Sequence, residues 1–117
     1  DKIKFFKKLN KKKVKIFGKA FPGRASILIN YLGIDEKIIP IIFEQNKSKK
    51  INKYVPGTKI KILSDKFIKK KVSNRAVFIN FAWHIDNEIK KYLRDLKINN
   101  KVYNIINSND FKQLNVR

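Results

Sequence analysis

Residues 14–34, VKIFGKAFPGRASILINYLGI, constrain this chain more than any other stretch. A β-branched and aromatic run, Val14-Lys15-Ile16-Phe17, leads into Gly18. A second glycine follows at Gly23, and an apolar-periodic run then stops at Gly33. Strand, glycine turn and helix in that order form the first half of a βαβ unit, which is expected to seed a sheet. Gly18 permits a backbone conformation that a Cβ would block, where the chain leaves the sheet. Pro22, without an N–H, suits the loop or the first helical turn. Arg24 and Ser26 fall in that first turn, where free N–H groups and the helix dipole favour anions. Such a loop can cradle a phosphate. It is not the dinucleotide fingerprint, because Ala20 stands at the second glycine of G-x-G-x-x-G, and no Walker Gly-Lys-Ser/Thr follows. A tight strand-to-helix turn without a ligand is the simpler reading of the spacing, and both readings stand.

The remaining chain continues the alternation. Residues 2–9 place Ile3, Phe6 and Leu9 on one helical face, a leading helix or linker over 1–11, with a lysine hinge at 11–13. Ala25, Leu28, Ile29 and Leu32 recur at i, i+3, i+4 and i+7, and Gly33 caps that helix. Residues 38–44 are almost continuously apolar, as in a parallel strand buried on both faces, with Pro40 near the start. A polar, lysine-rich loop covers 45–53, and Pro56-Gly57 predicts a type II turn. Residues 59–63 alternate and read as an edge strand protected by lysines. Ser64 and Asp65 cap a short helix running to about Lys71. A buried strand over 75–81, a helix over 86–96 and a last strand over 101–106 follow, then a tail over 108–117 holding Phe111 and Leu114. The pattern predicts one α/β domain over 1–117: three layers, with a mostly parallel five-stranded sheet in order 3-2-1-4-5 and helices on both faces.

Charge is the loudest compositional fact: 29 Lys+Arg against 9 Asp+Glu, a net +20 over 117 residues. Residues 1–19 hold nine lysines and one acid, and residues 44–71 hold ten lysines and two acids. Nucleic acid or an acidic membrane is one reading of such a balance. Lys, Asn and Ile are abundant together, however, and Arg, the residue suited to bidentate contacts, occurs four times. Compositional background is therefore preferred, and nucleic acid is not the expected partner, although a basic rim would attract a nucleotide diphosphate. The chain has no Cys, which excludes disulfides and thiolate metal sites and is compatible with the cytoplasm. No apolar run reaches the ~20 residues that span a membrane, and the lysine-bearing start has no signal-peptide core. The chain has no Met, even at position 1, and reads as a piece of a longer or processed polypeptide.

Candidate chemistry gathers at strand ends. Glu44 closes the second strand, 26 residues beyond Gly18. An acid about 20 residues beyond the glycine loop binds ribose in nucleotide-binding units. A solvated acid at a strand end is the other reading. Trp83-His84 falls between a strand and a helix, where open α/β sheets bind ligands. There Trp83 would stack on a sugar or base and His84 would hydrogen-bond or exchange a proton. Equally, Trp83 covers the sheet end and His84 is half-exposed. His84 is the only histidine and there is no Cys, so the usual zinc site is not available, and the sequence has no G-x-S-x-G elbow for a nucleophilic triad. Tyr54, just before the Pro-Gly turn, offers a hydroxyl to the same crevice. Tyr31 reads as a packing residue.

Three stretches carry a family resemblance. Residues 18–34, GKAFPGRASILINYLGI, resemble the G-Y-G-A-P-x-K-G-N-T-L-L-N-Y-x-G-I run of the C-terminal domain of S-adenosylmethionine-dependent sugar C-methyltransferases. Lys53-Tyr54-Val55-Pro56-Gly57-Thr58-Lys59-Ile60 is similar to that domain's K-Y-x-P-G-T-x-I. Trp83-His84 with Glu88-Ile89 is similar to its W-N/H-x-x-x-E-I. The resemblance covers roughly residues 12–107, and the sequence departs from it at Lys19, Ala20 and Gly23-Arg24-Ala25. It implies a Rossmann-like domain on the sugar-nucleotide side of an active site. Gly18, Lys19, Arg24 and Ser26 would face phosphate, Glu44 a ribose or sugar hydroxyl, and Tyr54, Trp83 and His84 the sugar. The methyl donor, S-adenosylmethionine, and the proposed catalytic His and acid belong to a separate middle domain of the family, and a metal-binding segment to its N-terminus. No cofactor, metal or catalytic residue is therefore expected in this chain, and the donor domain is an expected partner. A basic nucleotide- or nucleic-acid-binding module is the alternative. A dinucleotide oxidoreductase domain is argued against by the missing glycine.

Overall fold

The computed structural model describes residues 2–106; the tail expected over 108–117, with Phe111 and Leu114, lies outside the described residues. Five strands, β1 (Ile16–Lys19), β2 (Ile41–Glu44), β3 (Lys61–Ser64), β4 (Val77–Asn80) and β5 (Val102–Asn104), form one sheet in the order β3-β2-β1-β4-β5. Every pairing between them is parallel, with Gly18 opposite both Ile42 and Ile79. Four helices cover it: α1 (Lys2–Lys11), α2 (Ala25–Leu32), α3 (Ile68–Lys71) and α4 (Asp86–Asp95). None is long and apolar enough to cross a membrane.

Alternation along each strand sorts the core into two faces. Ile16, Ile42, Ile62, Val77 and Ile79 point to the side carrying α1 and α2, with Phe6 and Ile29 packed among them. Phe17, Phe43 and Phe78 point to the other, against Ile68 of α3 and Ile89 and Leu93 of α4. Burial on both faces explains the near-continuous apolar reading of the central strands. The β2–β3 connection has no helix. Its turns bring Val55 and Ile60 into the first cluster instead.

Several expected boundaries shift, each for a local reason. β2 begins at Ile41, not Ile38, because the N–H groups of Ile38 and Ile39 turn back to the Asp35 carbonyl and Pro40 has none to give. β1 begins at Ile16, because Val14 N–H closes the end of α1 on the Leu9 carbonyl. Gly18 lies within β1 and not at its exit. A Cβ there would come within 2.5 Å of Ile42 Cγ1 and 2.9 Å of Phe81 Cε2, so close packing demands the glycine. The left-handed residue at the exit is Ala20, with φ 70°. The outer edge of β3 is covered by residues 52–54 as well as by lysines: Asn52 N–H donates to Ile62 O at 2.7 Å and Ile62 N–H to Lys53 O at 2.9 Å. Pro56-Gly57 does form the predicted turn, with φ 81° at Gly57 and Thr58 N–H on Val55 O.

Candidate functional site

In an open α/β sheet the order of crossovers reverses at one point, and the loops there part to leave a crevice. Here that point lies between β1 and β4. The β1 side is built by a short loop whose polar groups are satisfied from neighbouring elements. Phe21 N–H donates to Glu44 Oε1 at 3.2 Å, and Lys50 Nζ donates to Phe21 O at 2.6 Å while lying 5.2 Å from the Phe21 ring centre. Phe21 itself is buried, and α2 starts three residues after Pro22. On the β4 side, Asn80 is fully buried at the strand end. Its Oδ1 accepts from Ala82 N–H at 2.9 Å, and its Nδ2 donates to Ala82 O and, at 3.1 Å, to Asn104 Oδ1 of β5. Asn80 thereby fixes the 81–83 turn that presents Trp83 and His84.

Between these walls lies a crevice of about 740 Å³, floored by Phe81 and lined by Arg24, Leu28, Tyr31, Trp83 and His84. Trp83 is half-buried and packs on the α1/α2 side of the core. His84 is exposed and meets Trp83 edge-on, with ring centres 5.9 Å apart. Tyr31, expected to pack, is 84% exposed on the outer wall beside Ile27 at 71%. The site is mainly apolar and aromatic, with one guanidinium and one imidazole at its mouth. That composition suits stacking and a single anionic contact better than a multidentate phosphate cradle.

Three of the sequence-predicted residues therefore meet: Arg24, Trp83 and His84. The others do not line this crevice. Lys19 is 1% exposed and points to the α3/α4 side, where its Nζ binds Asp65 Oδ2 at 3.0 Å. It cannot face a phosphate there, because a buried cation is held by a buried anion. Gly18 is packed beneath Ile42 and Phe81. Ser26 is half-buried on α2, where its carbonyl accepts from Asn30 Nδ2. Glu44 is half-buried at the end of β2, engaged by the Phe21 N–H. Tyr54 is at the opposite end of the sheet, bridged to Lys61 at the start of β3, with Lys61 Nζ 5.0 Å from its ring centre. The Pro56-Gly57 landmark is a structural joint: Asn30 Nδ2 donates to Pro56 O at 2.9 Å, and a Cβ on Gly57 would strike Asn30 Oδ1.

Sequence reasoning missed Asn80 and the Asp65–Tyr92 pair. Tyr92 Oη donates to Asp65 Oδ2 at 2.7 Å, and Lys19 Nζ lies 5.1 Å from the Tyr92 ring centre. Burial, then the hydrogen bond to Asp65, raises the Tyr92 phenol well above its ordinary range. Only spacing gave a signal: Tyr92 sits one residue before Leu93 on the inner stripe of α4. Among the described residues no group of His, Asp or Glu gathers to hold a metal ion.

S-adenosylmethionine, the methyl donor the resemblance implies for a longer chain, fits this loop poorly. Nucleotide sites on such sheets use a glycine-rich loop and an acid beyond it that takes a ribose hydroxyl. Here Phe21 fills the loop and Glu44 is bonded to it. An all-parallel sheet between two helical layers, with a crevice at its switch point, defines a Rossmann-like α/β domain. The chain belongs to the C-methyltransferase C-terminal domain family, whose model matches residues 1–104. No curated protein matches it.

Proposed function

We propose that this domain forms the sugar-nucleotide side of a C-methyltransferase active site, with the methyl donor held by another part of the enzyme. The observation that carries the reading is the convergence of Arg24, Trp83 and His84 on one crevice at the β1/β4 switch point. In this reading Arg24 takes a phosphate oxygen, Trp83 stacks on a ring of the ligand, and His84 bonds a hydroxyl. The engagement of Glu44 by Phe21 supports placing the donor elsewhere.

Trp83 is the only tryptophan in the chain, so its emission reports directly on the crevice. Titration with UDP-glucose should give a saturable emission change that Arg24→Gln weakens. Titration with S-adenosylmethionine should give none. A flat UDP-glucose titration, or a tight response to the methyl donor, would overturn the reading.

A further inference from the structure

We propose that the amino-terminal rim of the sheet, opposite the crevice, is a docking face for the phosphate backbone of duplex nucleic acid. Composition left this partner as the less favoured reading; the placement of the charges is what argues for it. In the spatial order of the strands, a cation stands at the entry to each one: Lys61 at β3, Lys37 in the turn four residues ahead of β2, Lys15 at β1, Arg75 at β4 and Lys101 at β5. All are exposed except Lys61, which is half-buried. None makes an ion pair with a described residue; those ion pairs join Lys19 to Asp65 and Lys90 to Asp86.

The row is more than a tally of charges. Lys15, Lys37 and Lys71 line one depression of about 440 Å³, and Lys61 and Lys71 line the next, of about 450 Å³. Lys71, from α3, stands between the two. Asp35 and Glu36 share this rim, and each spends one oxygen on a backbone N–H: Asp35 Oδ1 accepts from Lys37 N–H at 2.9 Å and Glu36 Oε1 from Lys59 N–H at 2.8 Å, with Glu36 also lining the first depression beside the lysines. Four strand spacings of about 4.8 Å make a row about 19 Å long, which matches five to six base-pair rises of about 3.4 Å.

Lysine, a point charge without a planar fork, suits phosphates over base edges. The exposed ring at this end, Tyr54, already carries the Lys61 ammonium. Recognition is therefore expected to ignore base sequence. It does not depend on the crevice or on the proposed methyltransferase role.

The test is fluorescence anisotropy of the full 117-residue chain with a labelled DNA duplex of about 24 base pairs across a KCl series. About five phosphate contacts predict a slope of log K against log salt near −4.5, or about a 500-fold loss of affinity between 50 and 200 mM. The triple Lys15→Gln, Lys37→Gln, Lys71→Gln should flatten the slope by about three, and each single change by about one. The corresponding arginine triple should keep the slope, and so should Lys47→Gln, Lys49→Gln, Lys91→Gln, which removes equal charge elsewhere. The single substitutions carry the test if the glutamine triple melts.

Equal flattening by the rim and control triples would mean attraction by overall charge and would overturn the proposal. No binding at 50 mM KCl would do the same. Tighter binding to phosphatidylserine vesicles than to the duplex, with the same dependence on the rim triple, would replace nucleic acid with a membrane.

Discussion

The two rims of this sheet are made from the same residue types and treat them in opposite ways. At the carboxyl rim, three charges are tied down while Arg24 stays exposed at the crevice. Lys19 is paired with Asp65, Glu44 holds the Phe21 N–H, and Lys50 covers the Phe21 carbonyl. At the amino rim, Lys15, Lys37 and Lys101 stand in solvent, and Asp35 and Glu36 each accept from a backbone N–H rather than from a lysine side chain. A parallel sheet makes this division possible. Its βα loops all emerge at one end, where side chains converge on a crevice, and its αβ loops at the other, where each strand is entered separately. A net charge of +20 therefore says little until the fold has assigned each cation to an end.

The largest test of the comparison is to break the buried pair. Asp65→Ala leaves the Lys19 ammonium in the core without its anion, and such a loss costs about 3–5 kcal/mol. Calorimetry should show a fall in melting temperature of well over 10 °C, at about 4–8 °C per kcal/mol for a domain of this size. Replacing both partners, Lys19→Met with Asp65→Leu, should recover much of it. No comparable loss is expected from Lys15→Met at the other rim, where an exposed cation is removed.

Gly18→Ala comes next. Its Cβ must displace Ile42 and Phe81, an overpacking expected to cost about 1–3 kcal/mol. Because Phe81 floors the crevice, the same substitution should shift Trp83 emission, while leaving duplex binding at the amino rim unchanged. A shift in both readouts would mean that the two ends are not independent.

How far the sequence could be read is clearest at the helix ends. α2 stops at Gly33, φ 73°, with Ile34 N–H on Ile29 O, and the glycine made that end legible. α1 and α4 stop in the same way, with Val14 N–H on Leu9 O and Ile98 N–H on Leu93 O, but Lys13 and Lys97 take the left-handed position, each at φ 61°. No residue preference announces such an end, so only periodicity placed those helices. Strand order and the two-faced core were legible because apolar runs of strand length recur between helical stripes. The fates of Lys19, Glu44 and Tyr54 were not. Each depends on a partner distant in sequence, as Lys19 does on Asp65, 46 residues away. The lysine caps give the third prediction. Lys97→Gly should stabilise the domain by about 0.5–1 kcal/mol by relieving a left-handed side chain. A melting temperature that falls would show that Lys97 contributes more at the amino rim than its backbone loses.

The smallest expected effect asks how strong the electrostatic field of the amino rim is. Glu36 is held below its ordinary value of 4.5, first by the Lys59 backbone N–H, with the charges of Lys59 and Lys37 contributing less. Its contribution to stability is therefore fully present above the unfolded value and is lost as pH falls through the lower folded one. The stability difference between the parent chain and Glu36→Gln should be constant above about pH 5.5 and shrink steadily as pH falls below 4.5. Raising KCl should barely move that profile, because a hydrogen bond to backbone is not screened as a field of exposed lysines would be. A profile that moved toward 4.5 with salt would assign the shift to the lysines. The rim would then already concentrate enough positive potential to act on an anion of its own chain before any partner arrives.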